Sequence, residues 1–158
     1  MTSIADVEAV WVSNVFEHAD ILAITTSILD HEYQADTQTE LEELYQEGAL
    51  GIGELNFFEY EINKSEAIIE VGGAQAPEYK FDVDVRYTRA LDVEGNTQKQ
   101  VIAAIETLCD TVRTQMGATW GSLNARTALE ITPAQITKEE INGTPCYRQS
   151  VRFTAFKQ

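Results

Sequence analysis

Basic residues are almost missing from the first half of this chain. Residues 1–76 hold sixteen Asp and Glu against a single base, Lys64, for a net charge of −15. Residues 77–158 balance ten acids with ten bases, so the half with the clearest strand pattern is neutral. A protein that grips nucleic-acid phosphates needs an uncompensated basic patch, and this composition offers the reverse. Cysteine is also scarce: Cys109 and Cys146 lie far apart with no metal-type spacing, and nothing in the sequence demands a disulfide. Cys109 falls inside a helical pattern, where a thiol serves as a small buried apolar residue. No apolar run reaches membrane length, and Met1-Thr2-Ser3 opens without a basic or apolar leader. The expectation is a protein made in the cytoplasm, with no membrane among its partners.

What is present argues for a folded α+β domain. The 44% apolar content is ordinary for a globular protein, and the acidic half carries Trp11, Phe16, Leu41, Leu44, Phe57, Phe58 and Tyr60. Those residues exclude a solvated acidic tail. The length of 158 residues fits one domain, with a loop or short helix inserted around 34–54.

Periodicity places the elements. Ser3 and Asp6 form a cap for a helix running to about Phe16, with Ile4, Val7, Trp11 and Val15 at helical spacing. Residues 19–33 fit either a continued helix or a buried strand, and Thr25-Thr26-Ser27 favours the strand. Residues 36–48 read as an acidic helix closed by Gly48, with Thr39 and Glu42 as a capping box. Leu55–Ile62 and Ala67–Val71 read as two short strands joined at Asn63-Lys64-Ser65.

From Tyr79 to Leu91, apolar Tyr79, Phe81, Val83, Val85 and Tyr87 alternate with Lys80, Asp82, Asp84, Arg86 and Thr88. This is a strand with one buried and one wet face. A helix follows from about Thr97 to Met116, capped by Asn96 and closed by Gly117, with Val101, Ile105, Leu108 and Val112 as its buried stripe. Two strands end the chain, and Asn142-Gly143 marks the hairpin turn before the last of them. The fold class expected is α+β: a single twisted, mostly antiparallel sheet with two main helices packed on one face.

Catalytic patterns fail on inspection. His31-Glu32 opens like a zinc-protease helix, but position 35 is Ala35, and His18 is the one other histidine. The glycine run from Gly48 to Gly53 lacks the lysine of a phosphate loop and stands among acids that repel phosphate. Asp82 and Asp84 share a strand face, yet they alternate with Lys80 and Arg86, so cross-strand ion pairs account for them. No cofactor, metal site or enzymatic activity is expected.

The stretches Tyr79-Lys80-Phe81-Asp82-Val83-Asp84-Val85-Arg86-Tyr87, Asp92-Val93-Glu94-Gly95-Asn96 and Tyr147-Arg148-Gln149-Ser150-Val151-Arg152-Phe153, with a helix between, resemble the tail terminator proteins of tailed bacteriophages. The resemblance covers residues 77–158 in pattern and the first helix more loosely. It implies a homo-oligomeric ring, usually a hexamer, in the neck of the virion. Such a ring caps the tail tube, joins it to the head connector and lets double-stranded DNA pass without tight binding. The acidic candidates for a channel or partner-facing surface are Glu40, Glu42, Glu43 and Glu47. Asp82, Asp84 and Arg86 are the candidates for contacts between subunits. Two alternatives carry the same acidity: another head–tail connector or tail-completion protein, and an acidic mimic of DNA that occupies a basic cleft.

Overall fold

Capping starts the chain's first element. The computed structural model describes residues 3–24, 27–30, 56–91, 94–122, 125–141 and 143–157. Ser3 Oγ accepts from the Asp6 N–H at 3.2 Å, and the Asp6 carboxylate accepts from the Ser3 N–H at 2.8 Å. This reciprocal box opens helix α1, Ile4–Trp11. The chain then widens into a π-helical turn over Val12–Phe16, which keeps both Val15 and Phe16 buried. A short helix, α2, covers Ala19–Leu22, and the ambiguous segment ends as a strand, β1, over Ser27–Asp30.

Next come β2, Asn56–Val71, and β3, Ala74–Ala90, paired in unbroken antiparallel register from Asn56↔Arg89 to Val71↔Ala74. The two strands read on either side of Asn63-Lys64-Ser65 are therefore one. The polar triplet fits because β2 leaves the core there, and Lys64 lays its ammonium 4.1 Å from the Tyr79 ring centroid. The turn is Gly72-Gly73, with φ of +60° and +83°, the left-handed pair that a two-residue hairpin of matching twist requires.

Helix α3 spans Thr97–Ser122. It runs through Gly117 rather than ending there, because a glycine costs a helix only about 1 kcal/mol and does not break it. Strands β4, Ala125–Pro133, β5, Thr137–Ile141, and β6, Thr144–Lys157, complete the chain. The β5–β6 hairpin closes at Ile141↔Thr144, with Gly143 at φ +81°.

The strands form one sheet in the order β1-β2-β3-β6-β4, with β5 also on β6. Among the described strands only the β1–β2 pair is parallel, and the other pairs are antiparallel. The fold is α+β, with the helices gathered on one sheet face. Val7, Trp11, Phe16 and Ile21 from the N-terminal helices meet Val101, Ile105, Leu108 and Val112 of α3 over Phe58, Phe81, Val83, Val85 and Phe153. Trp11 anchors this core, with its ring 5.2 Å from Phe153 and 6.0 Å from Phe16. Phe16 in turn stacks on Tyr60 at 4.6 Å.

The Trp11 indole N–H is buried without a hydrogen-bond partner, so the ring contributes bulk rather than polarity. Trp11→Ala is expected to lower unfolding stability by about 3–5 kcal/mol. Trp11→Phe keeps most of the volume and discards the orphaned donor, so it is expected to cost clearly less. Urea titration of both variants checks the order.

Candidate functional site

Alternation that sends Phe81, Val83 and Val85 into the core sends Lys80, Asp82, Asp84 and Arg86 to the opposite face of β3. Register then sets their neighbours. Asp84 lies beside Glu61 on β2 and Arg152 on β6, while Arg86 lies beside Glu59 and Ser150. The Arg152 guanidinium grips Asp84 with both arms, Nε to Oδ1 at 2.7 Å and Nη2 to Oδ2 at 3.1 Å. Thr154 donates its hydroxyl to Asp82 at 2.6 Å, and Lys80 stands 3.8 Å from the same carboxylate. Glu61, Asn63, Asp84, Arg86, Ser150 and Arg152 together line a shallow polar cleft. The structure thus brings Asp82, Asp84 and Arg86 onto one face, each engaged across strands. Glu40, Glu42, Glu43 and Glu47 lie outside the described residues, as does His31.

Farther along the same face the character changes. Glu59 is completely buried, and Arg148 reaches it from β6, two strands away, at 2.8 Å. Arg148 also donates to Thr88 at 3.2 Å and to Glu139 at 2.6 Å, while Arg86 stands 3.7 Å from Glu59. Phe57, Cys146 and Ile141 are fully buried around this group. Sequence reading missed it. Glu59 alternates with Phe58 and Tyr60 as any wet-face residue would, and its burial depends on what folds over that face.

The two thiols are free and buried. Burial pushes the Cys146 thiol up to about 11, with Arg148 opposing that shift and Glu139 adding to it. Cys109 is also raised, first by burial. Neither is a nucleophile at neutral pH. His18 caps α2, its Nδ1 accepting from the Asp20 N–H at 3.2 Å. No described cluster of three His, Cys, Asp or Glu could hold a metal. No described helix is long and apolar enough to cross a membrane.

The second candidate surface is an arm. Among the described residues, pairing of β3 with β6 runs as far as Tyr79↔Lys157, and pairing of β1 with β2 as far as Asp30↔Tyr60. The β2–β3 ladder continues past both to the Gly72-Gly73 turn. On this extension Ser65, Glu66, Ala67 and Glu70 are exposed, and Ile68 is 71% exposed, the most exposed large apolar side chain among the described residues.

Two predictions follow from the charges. Removing one partner of a buried pair strands the other, so Arg148→Ala is expected to cost about 3–5 kcal/mol. Arg152→Ala removes a largely exposed pair and is expected to cost under about 1 kcal/mol; denaturant titration distinguishes them. The Cys146 thiol has a folded pKa above its unfolded value, so its contribution to stability is complete below the unfolded pKa. That contribution is lost as pH rises through about 11. Cys146→Ala is therefore expected to flatten the fall in melting temperature above pH 9. Compared with known proteins, the chain matches no family model and no curated protein sequence.

Proposed function

We propose that this chain is a non-enzymatic structural protein whose copies assemble into a ring. More specifically, the ring ends the tail tube of a tailed bacteriophage and joins it to the head connector. The arm carries this reading. A two-stranded hairpin is marginal in water and gains from a further strand or layer, and this one leaves Ile68 71% exposed. A neighbouring copy supplies that layer without a new gene product, and a head-to-tail contact that closes makes a ring.

Charge supports the same reading. Several described bases of the second half pair with acids of the same half, Arg152 with Asp84, Lys80 with Asp82 and Arg113 with Asp110, while Arg148 reaches both Glu139 and Glu59. The net −15 of the chain lies in residues 1–76. A ring repeats that charge once per copy. A DNA duplex inside it is repelled within a Debye length of about 8–10 Å and slides rather than sticks. The resemblance in residues 77–158 implies a ring, usually a hexamer, at the virion neck, with tail tube and head connector as partners.

Like-charged copies must approach one another for this assembly. Raising salt from about 0.1 M to 1 M shortens the Debye length from about 10 to 3 Å and so favours the ring. Mass photometry across this range is expected to show the 17.6 kDa chain moving into one discrete multiple of its mass as salt rises. A monomer at every salt concentration contradicts the reading. So does a one-to-one complex with a DNA-binding enzyme that salt dissolves, the mark of a DNA mimic.

A further inference from the structure

The arm has two backbone edges, and the sequence treats them differently. In an antiparallel pair, opposed residues alternate between exchanging two hydrogen bonds and exchanging none. The two-residue turn Gly72-Gly73 is closed by Val71↔Ala74, a bonded pair. Counting back, Ile69↔Ala76 and Ala67↔Glu78 are bonded, while Glu70↔Gln75, Ile68↔Pro77 and Glu66↔Tyr79 are not. Pro77, which has no N–H, falls on a pair that requires none. The same count turns the N–H and C=O of Glu66, Ile68 and Glu70 away from β3, toward the outer edge of β2. On the β3 side of the arm, the corresponding outward donor is missing at Pro77. Proline on an edge is a familiar block to strand addition, so one edge of the arm is closed and the other is open.

On the edge of β2 away from β3, no described strand pairs beyond Tyr60, and Ser65–Ile68 and Glu70 are exposed. At the other end of the sheet, β4 is the last strand in the order, and the Ala134 N–H bond to the Ser150 carbonyl makes Pro133↔Val151 a non-bonded pair. The same count turns the backbone of Leu129 and Ile131 outward, with Pro133 ending that edge. Building on the ring reading above, we infer that the open β2 edge of the arm, residues 66–70, adds as a strand to the outer edge of β4 in a second copy of this chain. The sheet of one subunit thereby continues into the next.

Three considerations select this occupant. Unpaired backbone donors and acceptors are satisfied best by another strand, and that is the recognition mode of sheet edges. A closed ring needs two different surfaces on each copy, and this sheet offers the arm edge at one end and β4 at the other. Size sets the strength of the contact. Residues 66–70 are far fewer than the roughly 20–30 a side of a stable standalone contact, so each contact is weak and closure of the ring is what holds the copies together. Glu130 on β4 meets Glu66 and Glu70 on the arm, so side-chain ion pairs do not drive the contact. Backbone bonds carry it, in line with assembly favoured by salt.

The test compares backbone with side chain in the full-length chain. Glu70→Pro and Ile68→Pro each delete one outward N–H while leaving the β2–β3 bonds intact; Glu70→Ala and Ile68→Ala keep the N–H and lose the side chain. Circular dichroism melting of all four confirms the fold, and mass photometry gives the concentration at half assembly. The expected result is a rise of at least tenfold for each proline variant and less than threefold for Glu70→Ala. A second readout uses Glu70→Cys together with Thr132→Cys, which is expected to give intermolecular disulfide-linked ladders, whereas Glu70→Cys alone gives none.

Equal losses for alanine and proline variants overturn strand addition in favour of side-chain docking. Assembly unchanged by either proline overturns the use of this edge. Dimers from Glu70→Cys alone overturn β4 as the receiving strand. In each case the wild-type ring still forms and the function reading stands; only a wild type that never assembles removes both.

Discussion

Among the described residues, the ladder between β2 and β3 is longer than either ladder that flanks it, and much of the described structure is arranged around that mismatch. Strand β1 follows it for four residues, and β6 leaves it at Tyr79. Where neighbours are present, alternation divides the ladder into an aromatic and aliphatic face under the helices and a charged face on the other side. Where they are absent, the same alternation has nothing to bury against. The Gly72-Gly73 turn, the exposed Ile68 and Pro77 on a non-bonded pair all belong to that unsupported end. The interface proposed for this protein is the continuation of its sheet by another copy.

The charged face shows how context sets the weight of an ion pair. Asp84 and Arg152 meet with good bidentate geometry, but Arg152 is half in solvent, and such a pair adds little. Glu59 and Arg148 meet in a fully buried setting, where an unpaired charge is costly. Arg148 satisfies three strands at once, through Glu59 on β2, Thr88 on β3 and Glu139 on β5. It thereby fixes the register of β6 against the rest of the sheet, and that register in turn decides which residues border the arm.

The sequence announced some of this plainly. The alternation from Tyr79 onward, the stripe Val101, Ile105, Leu108 and Val112, the Ser3–Asp6 cap and the hairpin turn at Gly143 are strong local signals, and each lies where its chemistry puts it. Other features depend on partners distant in the chain. Asn63-Lys64-Ser65 has the composition of a turn, yet it stays in β2 because Lys64 finds the Tyr79 ring across the ladder. Glu59 has the spacing of a solvated residue and is buried by contacts its neighbours in sequence do not reveal. The π-helical widening at Val12–Phe16 is a packing adjustment with no compositional mark. Asp82, Asp84 and Arg86 were legible as one face from alternation alone, whereas their partners Thr154, Arg152 and Ser150 required the register of β6.

The charge split makes assembly the central claim. A chain with a net charge of −15 resists its own association, so a specific contact must overcome that repulsion. Electron-microscopic class averages of the purified protein in high salt test this most directly. The account predicts closed, rotationally symmetric rings with an open centre and sheet density running continuously from each subunit to the next. Averages that show isolated single copies, or rings whose subunits touch without continuous sheet density, would contradict it.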